Sequence, residues 1–252
     1  FYRYVSASLR SLDDGIDAMN RRKAQLGGAI NLGATFTVQD DYLPTLLKAY
    51  RERFGDEVRI ETYQAFTNYL TQSLHNETLD VSFCGRRDHE PDIEYFPVLN
   101  RSLELGVRVD HPLADRASVS FDELRDQRLI TYRRGTPIGE EVQRLLARSS
   151  LEGVDALYDD DITMASALSV DGGLGALMLN SIGLKVFSNI TTVPLEGVRP
   201  DFYWVYLASS AKHAKTAAVQ SFIDFVKEFD AEGAGIDLGY RPDRPEDGRP
   251  SA

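Results

Sequence analysis

The chain has 252 residues, 42% of them hydrophobic and 27% charged, enough for one large core or two smaller ones. Its net charge of −11 and isoelectric point near 4.9 argue against a nucleic-acid-binding surface, because phosphates would repel it. The single cysteine, Cys84, excludes an internal disulfide and a cysteine-built zinc site, and no apolar run reaches membrane-spanning length.

Residues 1–26 read as one helix. Tyr2, Val5, Leu9, Leu12, Ile16 and Met19 alternate in spacings of three and four, a heptad seam flanked by charges such as Arg3, Arg10, Asp13 and Asp14. Such a helix lies on the body of its own domain or pairs with a second copy. Pairing is favoured, because nothing else in the segment would bury the stripe. The chain opens on Phe1, so processing or excision from a longer protein is expected, and the lack of a leader says little about compartment.

After Gly27-Gly28 a compact pattern begins. "AINLGAT" reads as a strand. Asp40 and Asp41 can cap a helix with Pro44 in its first turn and Leu43, Leu46, Leu47, Tyr50 and Phe54 on one face. "EVRIETY" alternates as a strand, a short helix follows over 66–76, and "LDVSFCG" is a third strand. That is β-α-β-α-β, the signature of a parallel sheet wound with helices.

The pattern restarts with "SLELGVRVD", a strand ending at His111-Pro112. Ser120-Phe121-Asp122-Glu123 is a capping box that should open a short helix. "RLITY" is a strand, 138–149 a helix, "VDALYDD" a strand, 162–171 a helix and "GALMLN" a strand. "FYWVYLAS" and an amphipathic helix through Val219, Phe222, Ile223, Val226 and Phe229 complete the pattern. From 230 to 252 the composition turns to Gly, Pro and charge, with almost nothing to bury, and reads as a disordered tail.

Gly172-Gly173-Leu174-Gly175 is the densest glycine cluster. A phosphate loop needs strand, glycines, then helix. Here the order is helix, glycines, strand, and Met178 replaces the third glycine of the dinucleotide pattern. The cluster is read as a helix stop feeding a buried strand.

That stretch, "SALSVDGGLGALMLN", resembles the segment V-x-x-G-x-G-x-x-x-L-P near the end of the effector-binding domain of LysR-type transcriptional regulators. "LGATFTVQDDYLPTLLKAYRERFGDEVRIETYQAFTNYLTQSLHNETLDVSF" resembles the family's first block, and "VRVDHPLADRASVSFDEL" its crossover strand with the His-Pro-Leu turn. The helix before Gly27 resembles the family's linker helix. The ordered set covers residues 1–229. It departs at Ser82-Phe83, where the family usually has Ala-Ile, and at Asn180, where a proline is common.

The resemblance implies an α/β, two-lobed, type 2 periplasmic-binding-protein-like fold with two crossover strands, preceded by a long linker helix. Its lobes would be 27–104 plus 206–229, and 105–205. It implies a small-molecule effector, expected to be an anion or carboxylate, and a homodimer or homotetramer in the cytoplasm, with no membrane partner. DNA contact would come only through a winged helix-turn-helix that is not in this chain. The alternative is a solute-binding protein of a transport system with the same fold; the heptad helix argues against it.

In doubly wound sheets the ligand lies beyond the C-terminal strand ends, where helix N-termini converge. Those ends carry Thr35, Phe36 and Thr37; Ala65, Phe66 and Thr67; Cys84, Gly85 and Arg86; Tyr132, Arg133 and Thr136; and Asp161, Ile162 and Thr163. In the family, residues after the first strand and at the start of the second helix contact the effector; Thr35, Thr37 and Thr67 match those places. Arg86 and Arg133 approach from opposite lobes and are candidates to clamp an anion. Plainer roles compete: threonines that cap helices, a solvated Arg86, a core Tyr132. No catalytic residue, metal site or cofactor is expected. His75, His89, His111 and His213 are scattered, and there is no nucleophile elbow or P-loop.

Overall fold

The computed structural model describes residues 28–39, 42–149, 151, 154–181 and 186–239. The expected linker helix over 1–26 and the Asp40–Asp41 cap lie outside them.

Two five-stranded sheets form two lobes of mixed α/β structure, as the sequence implies. The first contains β1 (Gly28–Ala34), β2 (Val58–Gln64), β3 (Val81–Gly85), β4 (Ile93–Arg101) and β10 (Tyr203–Ser210), in the order β2-β1-β3-β10-β4. The second contains β5 (Leu103–Arg108), β6 (Arg128–Tyr132), β7 (Ala156–Tyr158), β8 (Leu174–Leu179) and β9 (Ile190–Pro194), in the order β7-β6-β8-β5-β9. β1 runs parallel to β2 and β3, and β10 returns antiparallel between β3 and β4. In the second sheet β6 is parallel to β7 and β8, while β5 is antiparallel to β8 and β9.

The chain passes between the sheets twice. The first passage is Ser102, between β4 and β5. The second is 195–202, between β9 and β10. Helices α1 (Tyr42–Phe54), α2 (Thr67–His75) and α5 (Ala217–Glu228) accompany the first sheet, and α3 (Pro137–Ser149) and α4 (Asp161–Val170) the second. In the first lobe an aromatic cluster joins α1, β3 and α5. Tyr42 meets Phe83 edge-on at 5.6 Å between ring centroids, and Tyr50 meets Phe222 at 5.2 Å.

Three details depart from the sequence reading. β4 and β9 are edge strands that hydrophobic pattern did not reveal. Pro97 lies within β4 opposite Tyr206, beside a register shift, and an edge is where a sheet tolerates a residue without an N–H. The Ser120–Glu123 box forms, with Ser120 N–H donating to the Glu123 carboxylate at 3.0 Å and Glu123 N–H to Ser120 Oγ at 3.4 Å. Residues 121–126 nevertheless stay a run of turns rather than a helix. These hydrogen bonds and the Arg116 guanidinium pull the Glu123 carboxyl down to about 2. The glycine cluster does follow α4 and precede β8, but the stop is made by Asp171, whose carboxylate accepts from Gly173 N–H at 3.1 Å.

The expected tail is corrected as well. Residues 230–239 fold back against the first passage, burying Ala231, Ile236 and Leu238. Asn100 N–H donates to the Leu238 carbonyl at 3.0 Å, and Arg101 Nη1 to the Asp237 carbonyl at 2.9 Å. Gly239 has φ of +85°, and a Cβ there would sit 2.3 Å from the Asn100 carbonyl oxygen, so no larger residue fits. Three apolar residues in ten do not make a periodic signal, yet they suffice when the surface they cover is already apolar. The Ile236→Ala and Leu238→Ala variants should each lose about 2–4 kcal/mol in urea unfolding. Midpoints within error of the parent would show that the segment is not part of the core.

Candidate functional site

The strand ends of the two lobes face each other across a cavity of about 50 Å³. From the first lobe come Thr35, Phe36 and Thr37, beyond β1, and Ala65, Phe66 and Thr67, at the start of α2. From the second come Tyr132, Thr136 and the triplet Asp159, Asp160 and Asp161. Thr35 makes no side-chain cap to the short 3-10 turn that follows it, so its hydroxyl is not spent on the helix end. Thr67 is placed differently: it is buried, and its Oγ accepts from Gly85 N–H at 3.3 Å.

The second-lobe wall is organised by Tyr132. Its ring is buried, its hydroxyl donates to Asp161 Oδ1, and it accepts from Leu179 N–H at 2.7 Å. Burial first, then the neighbouring Asp161 carboxylate, push the phenol well above its ordinary pKa, so it stays protonated and able to donate. Asp160 caps α4, accepting from Thr163 N–H at 2.8 Å, and Thr163 Oγ donates to the Asp160 carbonyl at 3.1 Å. Among the described residues lining the cavity, the charged ones are the three aspartates.

Several sequence candidates stand elsewhere. Arg133 is exposed, with its Nε donating to Asp159 at 2.7 Å; it lines neither the cavity nor the groove beside it. Ile162 and Thr163 lie on the exposed face of α4, outside the cavity lining. Gly85 does not line it either. A Cβ there would come within 1.8 Å of the Tyr203 hydroxyl, so this glycine makes room for a tyrosine that does line the cavity. Arg86 sits 5.8 Å above the Tyr95 ring and lines a separate groove of about 510 Å³. The Arg86–Arg133 clamp is therefore not assembled in this arrangement.

Comparison with known proteins now decides the family. Residues 23–231 match the LysR substrate binding domain. The chain belongs to this family. As a LysR substrate-binding domain it also resembles HTH-type transcriptional regulators. It is 22% identical over 193 residues to the uncharacterized regulator YybE of Bacillus subtilis, covering 77% of this chain and 65% of that protein. It is 27% identical over 166 residues to the regulator cbl of Escherichia coli, covering 65% and 52%. The chain thus spans only part of the length of the curated relatives it matches. Among solved structures it superposes on the effector-binding domain of QuiR in complex with shikimate, with a TM-score of 0.74 at 24% identity, covering 81% of this chain and 98% of that one. It also superposes on the Synechocystis CcmR regulatory domain in complex with 2-PG, with a TM-score of 0.68 at 19% identity, covering 80% and 96%. At these identities the superpositions speak for the fold.

Within this LysR domain, sequence reasoning missed Tyr203, Pro137, Ile138 and Leu179 as cavity walls. Tyr203 had a usable signal. An antiparallel strand returning into a parallel sheet begins near where the parallel strands end; Gly85, the last residue of β3, pairs with Val205, so Tyr203 at the start of β10 lies just beyond it, at the cleft end. No pattern announced the others, because they follow from how α3 and β8 pack. Replacing Tyr132 by Phe should cost about 1–3 kcal/mol of stability, because Leu179 N–H and Asp161 lose a buried partner. A Phe variant as stable as the parent would mean that water takes over both bonds.

Proposed function

We propose that the chain is the effector-sensing part of a LysR-type transcriptional regulator, which binds a small molecule between its lobes and does not transform it. The observation that best supports this is the cavity itself: Thr35–Thr37 and Phe66 from one lobe face Tyr132, Thr136 and Asp159–Asp161 from the other. Ligand pockets commonly measure ~300–1,000 Å³, so a cavity of about 50 Å³ must widen to admit an effector. Entry is thereby tied to a change in the lobes, which is what a sensor needs. Only a ligand that favours one arrangement over the other shifts the population.

The two walls ask for different groups. The hydroxyls of Thr35 and Thr37, near the N-terminal end of α2, suit the oxygens of a carboxylate. The aspartates opposite suit hydrogen-bond donors. A small carboxylate that also carries hydroxyl groups satisfies both. Relatives of this fold hold shikimate, 2-PG and benzoate, and we assign this chain the same broad class of small acid. Calorimetric titration with shikimate and benzoate tests the assignment. The acid that binds should lose at least about tenfold in affinity in both Thr35→Val and Asp161→Asn, through lost charge-assisted or hydroxyl hydrogen bonds. Unchanged affinity in both variants would remove these residues from the site.

The relatives are HTH-type transcriptional regulators, which favours the regulator over the solute-binding alternative. In this reading the protein works in the cytoplasm, and DNA contact belongs to a winged helix-turn-helix joined through the helix of residues 1–26. No described helix is long and apolar enough to cross a membrane. Copies pair through the seam of Tyr2, Val5, Leu9, Leu12, Ile16 and Met19. Light scattering on the chain with and without residues 1–26 should give a dimer or tetramer for the first and a smaller species for the second. Equal masses would rule out the seam as the contact.

A further inference from the structure

Beside the cavity, and sharing Thr136, Pro137 and Tyr203 with it, lies the groove of about 510 Å³. It is the only one of the two already of ligand size. Its chemistry is also the reverse of the cavity's. Four arginines line it, Arg86, Arg87, Arg144 and Arg199, against the three acids Asp88, Glu140 and Glu141. Arg87 is engaged by Glu90 at 3.0 Å and Arg144 by Glu141 at 2.7 Å. Both Arg144 and Arg199 have half-exposed side chains, and exposed ion pairs of this kind are weak enough to exchange partners.

A second observation is independent of the arginines. Trp204 lines the groove and is only 9% exposed, and its indole N–H has no hydrogen-bond acceptor among the described residues. Buried donors are normally paired, and one left over beside a groove points to an acceptor that arrives from outside. Phe202 and Tyr206 add apolar wall, so the visitor has an organic body.

The groove also spans both lobes and the connection between them. Arg86 and Trp204 belong to the first lobe, Arg144 to α3 of the second, and Arg199 to the second passage between them. At the rim, Asn68 Nδ2 donates across the lobes to the Gly135 carbonyl at 2.7 Å. We propose that this groove is a second ligand site, for an organic oxyanion held between Arg86 on one lobe, Arg144 on the other and Arg199 on the passage that joins them. The oxyanion is a phosphate ester or a carboxylate, since guanidinium groups recognise both. A ligand gripping both lobes stabilises the arrangement in which they are close, and so acts on the same equilibrium as the effector in the cavity. The proposal stands on the groove's own residues and does not depend on the cavity reading.

Trp204 is the only tryptophan in the chain, so its fluorescence reports on the groove directly. The full chain is titrated with AMP, a phosphate ester, and with citrate, a ring-free carboxylate, with excitation at the red edge of the tryptophan band. A saturable change with either probe, weakened at least about tenfold in the Arg144→Ala/Arg199→Ala double variant and unaltered in Thr35→Val, is the expected result. Response to AMP alone assigns a phosphate ester, and response to citrate alone a carboxylate. Because both arginines are exposed, the double variant should keep the parent's circular dichroism and unfolding midpoint. An Arg144→Lys/Arg199→Lys variant, which keeps the charge without the fork, guards against a fold defect and should recover part of the affinity. No saturable change with either probe overturns the proposal. So does equal affinity in the double alanine variant, or a loss that follows Thr35→Val instead.

Discussion

The double passage of the chain between its sheets is the constraint from which the site follows. A single passage would give two lobes in series, free to face in any direction. Two passages, at Ser102 and at 195–202, fix the lobes side by side and bring the ends of β1, β3 and β6 to a common cleft. The return of β10 antiparallel to β3 is the local expression of the same constraint. It sets Tyr203 beside Gly85, and the missing side chain at Gly85 lets the tyrosine hydroxyl reach the cleft. The first passage is not loose chain. Ser102 Oγ donates to Glu104 at 2.7 Å, and Asn180 Nδ2 to the same carboxylate oxygen at 3.0 Å. Residues 237 and 238 cover it from behind through the bonds to Asn100 and Arg101.

Much of this was legible in the sequence, and the gaps have physical reasons. Alternation and helical periodicity revealed the strands and helices whose faces are half buried, because there burial and sequence rise and fall together. β4 was hidden by Pro97 and by its place at an edge, where only one neighbour enforces the pattern. β9, with its two threonines, was hidden in the same way. The 230–239 segment looked like a tail because its composition is polar, while Ile236 and Leu238 bury themselves on a surface made by distant residues. The capping box was read correctly as a hydrogen-bonded unit but over-read as a helix, since a box satisfies the first N–H groups of a helix without supplying the apolar face that extends one. At the cleft, position along a strand told which residues come near the ligand side. It could not tell which way each points: Thr35 lines the cavity, Arg86 the groove beside it, and Arg133 turns out to Asp159.

The electrostatics of the cleft are divided more sharply than the net charge of −11 suggests. Asp160 and Asp161 sit at the N-terminus of α4, where the helix dipole stabilises them. That position is usually the one an anion would use, so these side chains occupy it in advance. The arginines stand instead across the wall, where Arg86, Arg87, Arg144 and Arg199 line the groove together with Asp88, Glu140 and Glu141. In the proposed function a ligand in the cavity would meet hydroxyls and carboxylates, and one in the proposed second site would meet guanidinium groups.

Tyr132 links this chemistry to the passage between lobes. Its hydroxyl holds Asp161 on the cleft wall and the backbone of Leu179 at the end of β8. The next residue, Asn180, donates its N–H to the Ser102 carbonyl at 2.9 Å and its amide to Glu104. Hydrogen bonds on either side of the Leu179–Asn180 peptide therefore link the cavity wall to the first passage. Continuity alone is not coupling. Coupling arises only where both ends have two arrangements of similar energy; in the proposed function the cleft is one such end, since a cavity of about 50 Å³ would have to open to admit an effector. A group that bridged Asp161 would share or take the Tyr132 proton donor, and in a close-packed wall that donor cannot move without displacing the strand end to which it is bonded. Tyr132 thus ties the aspartate on the cleft wall to the strand end that leads to the passage between the lobes.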